Sequence, residues 1–96
     1  MRRTYMVTYD ISDPRRLRRV YRTMRGFGEH LQLSVFCCDL TGADRVRMIA
    51  ALEEIVHHDE DQVVLVDLGP TSASPIKAMA ALGRPLRVTG RRPVIV

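Results

Sequence analysis

No apolar run in this 96-residue chain approaches the roughly 20 residues that a membrane-spanning helix needs. Met1-Arg2-Arg3 leads into a short alternating segment, not an apolar signal core with a small-residue cleavage site. Both absences argue against secretion and membrane insertion. Cysteine is scarce: only Cys37 and Cys38, side by side. Neighbours on a strand point to opposite faces, so a bridge between them demands unusual backbone geometry. With no further Cys and no nearby His, they also fail the spacing of a zinc site. Both read as reduced thiols of a cytoplasmic protein. Repeats of solenoid period and low-complexity stretches are missing as well. What remains is enough for one domain. A chain this short buries only roughly 60–65% of its unfolded surface, so a dimer interface would help to stabilise it. Hydrophobic content of 46% and charged content of 27% are globular values.

Acids are absent where cations are dense. From Met1 to Arg25 eight arginines stand against Asp10 and Asp13 alone. From Asp44 to Asp67 the balance reverses, with Arg45 and Arg47 among seven acids. From Lys77 onward there are five cations and no acid. The formal charge of +4 thus hides two basic segments and one acidic one. Nearly all the cations are arginine, the side chain suited to forked phosphate contacts, which points to a polyanion partner.

The order of elements follows from local pattern. Thr4 to Tyr9 is rich in β-branched and aromatic residues and predicts a strand. Asp13-Pro14 is a strong helix start. Leu17, Val20, Tyr21 and Met24 then form one apolar stripe, and Gly26 and Gly28 end the helix. Arg15, Arg18, Arg22 and Arg25 share one side of it; Arg16 and Arg19 share another. His30 to Leu40 is extended, as one bent strand or two short ones. Thr41 to Asp44 has the form of a capping box. The following helix carries Met48, Ile49, Leu52, Ile55 and Val56 on one face and ends near His57-His58. Gln62 to Leu68 reads as a buried strand broken by Gly69-Pro70. Pro75 to Leu82 suggests a short helix ended by Gly83. The fold class expected is α+β, a ferredoxin-like β-α-β-β-α-β domain over 1–84. A tail over 85–96, with strand character at Arg87-Val88-Thr89 and Val94-Ile95-Val96, adds an extra C-terminal strand.

Tyr9-Asp10-Ile11-Ser12-Asp13, the basic helix Arg15 to Arg25, Gly28, and Gln32-Leu33-Ser34-Val35-Phe36 together resemble the small CRISPR adaptation subunit, the CRISPR-associated protein 2 family. The strand Val63 to Leu68 with Gly69 fits the family's next element, and Leu82-Gly83-Arg84-Pro85 resembles a tail motif in part of it. Two positions depart from the pattern. His30 stands where the family often has Arg, and Cys37 where an acid often follows the Phe.

The resemblance implies a homodimer in which Asp10 of each protomer faces its copy. Two such carboxylates repel, and a divalent cation between them removes the penalty. Oxygen-only ligands favour Mg²⁺ or Mn²⁺. Such an ion suits phosphodiester hydrolysis, of RNA and in some members DNA. The resemblance also implies spacer acquisition with CRISPR-associated protein 1, the integrase. There a non-catalytic scaffold would hold duplex DNA on Arg15, Arg16, Arg18, Arg19, Arg22 and Arg25. The tail is then expected to pair across the dimer or with the integrase. The partner expected under the resemblance is duplex DNA, single-stranded RNA or both; a reading outside the family is a small ferredoxin-like RNA-binding module.

The bland alternatives are specific. Asp10 can close an Asx turn, and Asp13 can cap the helix. Tyr9 can pack with Tyr5 and Val7. Phe36, a candidate base-stacking ring, can be core. Ser34 is a further candidate through its place in the motif. His57-His58 with the acids behind them reads as a helix end and a solvated turn, since adjacent residues on a helix point about 100° apart.

Overall fold

The computed structural model describes residues 1–86. Its order is β1 (Arg3–Asp10), α1 (Pro14–Arg25), β2 (Glu29–Gln32), β3 (Val35–Leu40), α2 (Gly42–Glu53) and β4 (Gln62–Pro70). Two short 3₁₀ turns follow, Thr71–Ala73 and Pro75–Ala78. The sheet order is β2-β3-β1-β4, with every neighbour antiparallel. This is the ferredoxin-like arrangement, with the first strand at the centre.

Alternation along the strands sorts the side chains into two faces. Tyr5, Val7 and Tyr9 of β1 join Phe36, Cys38 and Leu40 of β3 on the face that the helices cover. Val20 and Met24 of α1, and Met48 and Leu52 of α2, close that core with Ile55. The other face has little cover among the described residues. Ile76, with Leu31 and Met79, packs on Cys37 at one end. Val64 and Val66 remain 42% and 43% exposed. Cys37 and Cys38 therefore point to opposite faces, both buried and both free thiols.

Both helix starts form from their local signals. The Asp13 carboxylate accepts from the Arg15 and Arg16 amides at 3.0 and 2.9 Å. Thr41 and Asp44 make both bonds of a capping box. Elsewhere the structure differs from the sequence pattern. The segment 30–40 is two strands, joined at Leu33-Ser34. Among the described residues β4 is an edge strand with one open face, because both helices lie on the other side of the sheet. Gly69-Pro70 does not break it: Pro70 still pairs with Arg3, across a register shift, and Gly69 takes φ +102°. The helix expected from Pro75 is only a 3₁₀ turn. α2 ends at Glu53, before the histidines, and the His57 amide binds the Asp61 carboxylate at 2.9 Å instead of continuing a helix. The expected strand segments at 87–89 and 94–96 lie outside the described residues.

Candidate functional site

Asp10 is the last residue of β1, in register with Gln62 of β4. By alternation it shares the open face of the sheet with Met6 and Thr8. It is exposed, and among the described residues its carboxylate has no hydrogen-bond or ion-pair partner, so no Asx turn forms. That leaves a hard anionic oxygen pair free at a strand end. Such a donor suits Mg²⁺ or Mn²⁺, which need few protein ligands because waters complete the octahedron. One protomer brings one such carboxylate. No group of three or more His, Cys, Asp or Glu suited to a metal ion occurs among the described residues.

The turn behind Asp10 is held from the far end of the chain. The Asp61 side chain is shut off from solvent. It accepts from the Ser12 amide at 3.0 Å, the Ser12 hydroxyl at 3.3 Å and the His57 amide at 2.9 Å. The Arg16 guanidinium adds bonds at 2.7 and 3.1 Å. Arg16 also reaches Glu60 at 3.2 Å. The Arg16 bonds, and then the two amides, hold the Asp61 carboxyl well below the usual range.

The helix arginines therefore fall into different groups. Arg16 is engaged in this network and is not free for a phosphate. Arg25 donates to the Tyr21 hydroxyl at 3.1 Å, its guanidinium 5.7 Å from the ring centre. Arg15, Arg18, Arg19 and Arg22 are exposed and form no ion pair with the described residues. Arg15, Arg18 and Arg22 on one side of α1, with Arg19 beside them, offer a run of phosphates its partners.

The secondary candidates are placed as follows. Asp13 is spent on the α1 cap, and its two amide bonds lower its carboxyl from the ordinary value. Phe36 is fully buried, in contact with Tyr9, Tyr21 and His30, which leaves no ring face for a base. Tyr9 is buried, and desolvation raises its phenol above the ordinary value. The Ser34 carbonyl accepts the Tyr9 amide at 3.0 Å, tying the β2–β3 turn to the end of β1. His57 and His58 lie exposed in the turn after α2. The sequence marks Ser12 only as a member of the Tyr9 to Asp13 motif and Asp61 only as the end of an acidic run, and nothing local pairs residue 61 with residue 12 or residue 16.

A family model described as "CRISPR associated protein Cas2" matches residues 2–75. The chain belongs to the Cas2 family. It is 45% identical, over all of both chains, to a protein of Geobacter sulfurreducens named CRISPR-associated endoribonuclease Cas2. It is 40% identical to a Rhodospirillum rubrum protein named CRISPR-associated endoribonuclease Cas2 1, over 96% of this chain and 89% of the relative. The crystal structure of Streptococcus pyogenes Cas2 has a TM-score of 0.75 at 29% identity, covering 83% of this chain and 99% of that one. Nuclease activity is thus attached to Cas2 at the level of the family. Membership sets aside an unrelated RNA-binding module.

Proposed function

We propose that this Cas2 chain acts as a two-fold homodimer that hydrolyses phosphodiester bonds in CRISPR adaptation, with Asp10 of both protomers holding a divalent cation. The observation that carries this reading is the Asp10 carboxylate, unpartnered among the described residues, on the sheet face that also exposes Val64 and Val66. Covering that face with its own copy buries the valines and brings two carboxylates into one interface. Mg²⁺ or Mn²⁺ bound there supplies Lewis-acid polarisation of the scissile phosphate. The chain does the rest. Asp10 offers the hard oxygens, and Asp61 with Asp13 fixes the turn that follows it. Arg15, Arg18, Arg19 and Arg22 hold flanking phosphates of an RNA or DNA strand. The endoribonuclease names of the relatives support RNA as substrate.

A second reading is supported by the same four free arginines. In it the dimer is a scaffold that holds duplex spacer DNA and bridges integrase dimers, and Asp10 is dispensable. One comparison separates the two. Under the first reading, Asp10→Ala abolishes Mg²⁺-dependent cleavage of RNA and duplex DNA and leaves the dimer intact in sedimentation. Activity should fall at least ~100-fold, the upper end of what outer metal-shell residues cost. Full activity in the variant overturns the metal role. A wild type inert across metals, with Asp10→Ala still supporting spacer acquisition, favours the scaffold.

A further inference from the structure

We infer that the cleft between α1 and the β2–β3 turn is a pocket for a single unpaired nucleobase. The cleft has a volume of about 520 Å³, within the roughly 300–1,000 Å³ of small-ligand sites. Leu17, Tyr21 and Leu33 give it apolar walls, and Arg18 and Arg22 line it as well. Leu33 is 91% exposed and Leu17 38%. Arg18 and Arg22 are four residues apart, so they lie on one side of α1.

The combination selects the ligand. Two guanidinium groups alone suit any phosphate. Exposed leucines and an aromatic ring alone suit any apolar group. A splayed nucleotide offers both within one residue, a flat base for the walls and phosphates on either side for the arginines. A duplex keeps its bases stacked and offers only the phosphates. Tyr9 supplies a second observation. It lines the same cleft, and its buried hydroxyl is the one side-chain polar atom among the described residues found buried without a hydrogen-bond partner. A buried hydroxyl left unpaired is costly. The edge of a base carries the donors and acceptors that would satisfy it, after a side-chain adjustment, since the hydroxyl is now shielded from water.

The inference rests on the reading of α1 as a phosphate-binding face, and the test separates the two. The probes are a single-stranded oligonucleotide carrying one 2-aminopurine and a duplex of the same sequence, titrated at several salt concentrations against the full chain. Leu33→Ser alters an exposed turn residue and no charge. It should weaken single-strand binding about 10-fold, within the range for losing one base contact, and reduce the 2-aminopurine response. Duplex affinity and the salt slope should not change. Unchanged single-strand affinity overturns the pocket, as does an equal loss on duplex. So does a loss that accompanies a change in sedimentation, which would make the cleft a protein contact. Arg18→Ala with Arg22→Ala should reduce the log K against log salt slope by roughly 0.7 per lost contact on single strands. If that slope stays put while Leu33→Ser still discriminates the two probes, the arginine reading fails and the pocket stands.

Discussion

Gly28 shows how much one missing side chain decides. A Cβ at this position would stand 2.5 Å from the Cys37 carbonyl oxygen and 2.5 Å from the Cys38 sulfur. The link from α1 to β2 presses directly on β3, and the backbone oxygen on the other side cannot rotate away. In sequence Gly28 reads as a helix terminator. Its amide does close the helix end, on the Met24 carbonyl at 3.0 Å, but what demands glycine is close approach, because its φ is not positive. Gly28→Ala should destabilise the chain by about 1–3 kcal/mol, the usual cost of overpacking. That lowers the melting temperature by roughly 4–8 °C per kcal/mol in a domain of this size. Gly42→Ala is the control, since a Cβ there meets nothing within 4 Å. Equal melting temperatures for Gly28→Ala and wild type would contradict the contact. The neighbouring thiols were legible from alternation alone, which sends Cys37 and Cys38 to opposite faces. Burial pushes the Cys38 thiol up to about 12.

Between elements, the Arg16–Asp61 pair joins the β1–α1 turn to the α2–β4 turn and so frames the end of β1. Its pH dependence has a definite sign. The folded-state pKa of Asp61 is lowered, so the unfolded chain takes up the proton first as pH falls. The stabilisation is fully present above the unfolded value of about 3.9 and is lost as pH drops below it toward the folded value. Asp13, Asp44 and Asp67 are shifted in the same direction. Thermal melts should therefore hold steady from neutral pH to about 5 and fall steeply below about 4. Asp61→Asn should melt lower at neutral pH and show a shallower acid limb. An acid limb as steep as wild type would contradict the assignment. The two helix caps were legible because each is a contact within three residues. The Arg16–Asp61 pair was not, because 45 residues separate its members. The exposure of β4 was equally hidden. A run of valines and leucines reads as buried on both faces, and only the placement of α1 and α2 on one side leaves Val64 and Val66 open. Likewise, Pro75 promises a helix start, but the segment makes only the 3₁₀ turn that places Ile76 on Cys37.

At the largest scale, the described residues form a four-stranded sheet with both helices on one face and Asp10 at the end of the central strand β1 on the other. The element order and the resemblance to the Cas2 family were legible in the sequence. What a second chain contributes was legible only through that resemblance, because residue pattern alone gives one Asp10 per chain and does not say what covers the open face. If two protomers complete the carboxylate site, metal stoichiometry reveals it. The full chain is titrated with Mn²⁺, with bound ion followed by magnetic resonance and oligomeric state by sedimentation. One ion per two chains is expected, lost in Asp10→Ala while the dimer persists; one ion per chain, or undiminished binding in Asp10→Ala, rules the shared site out.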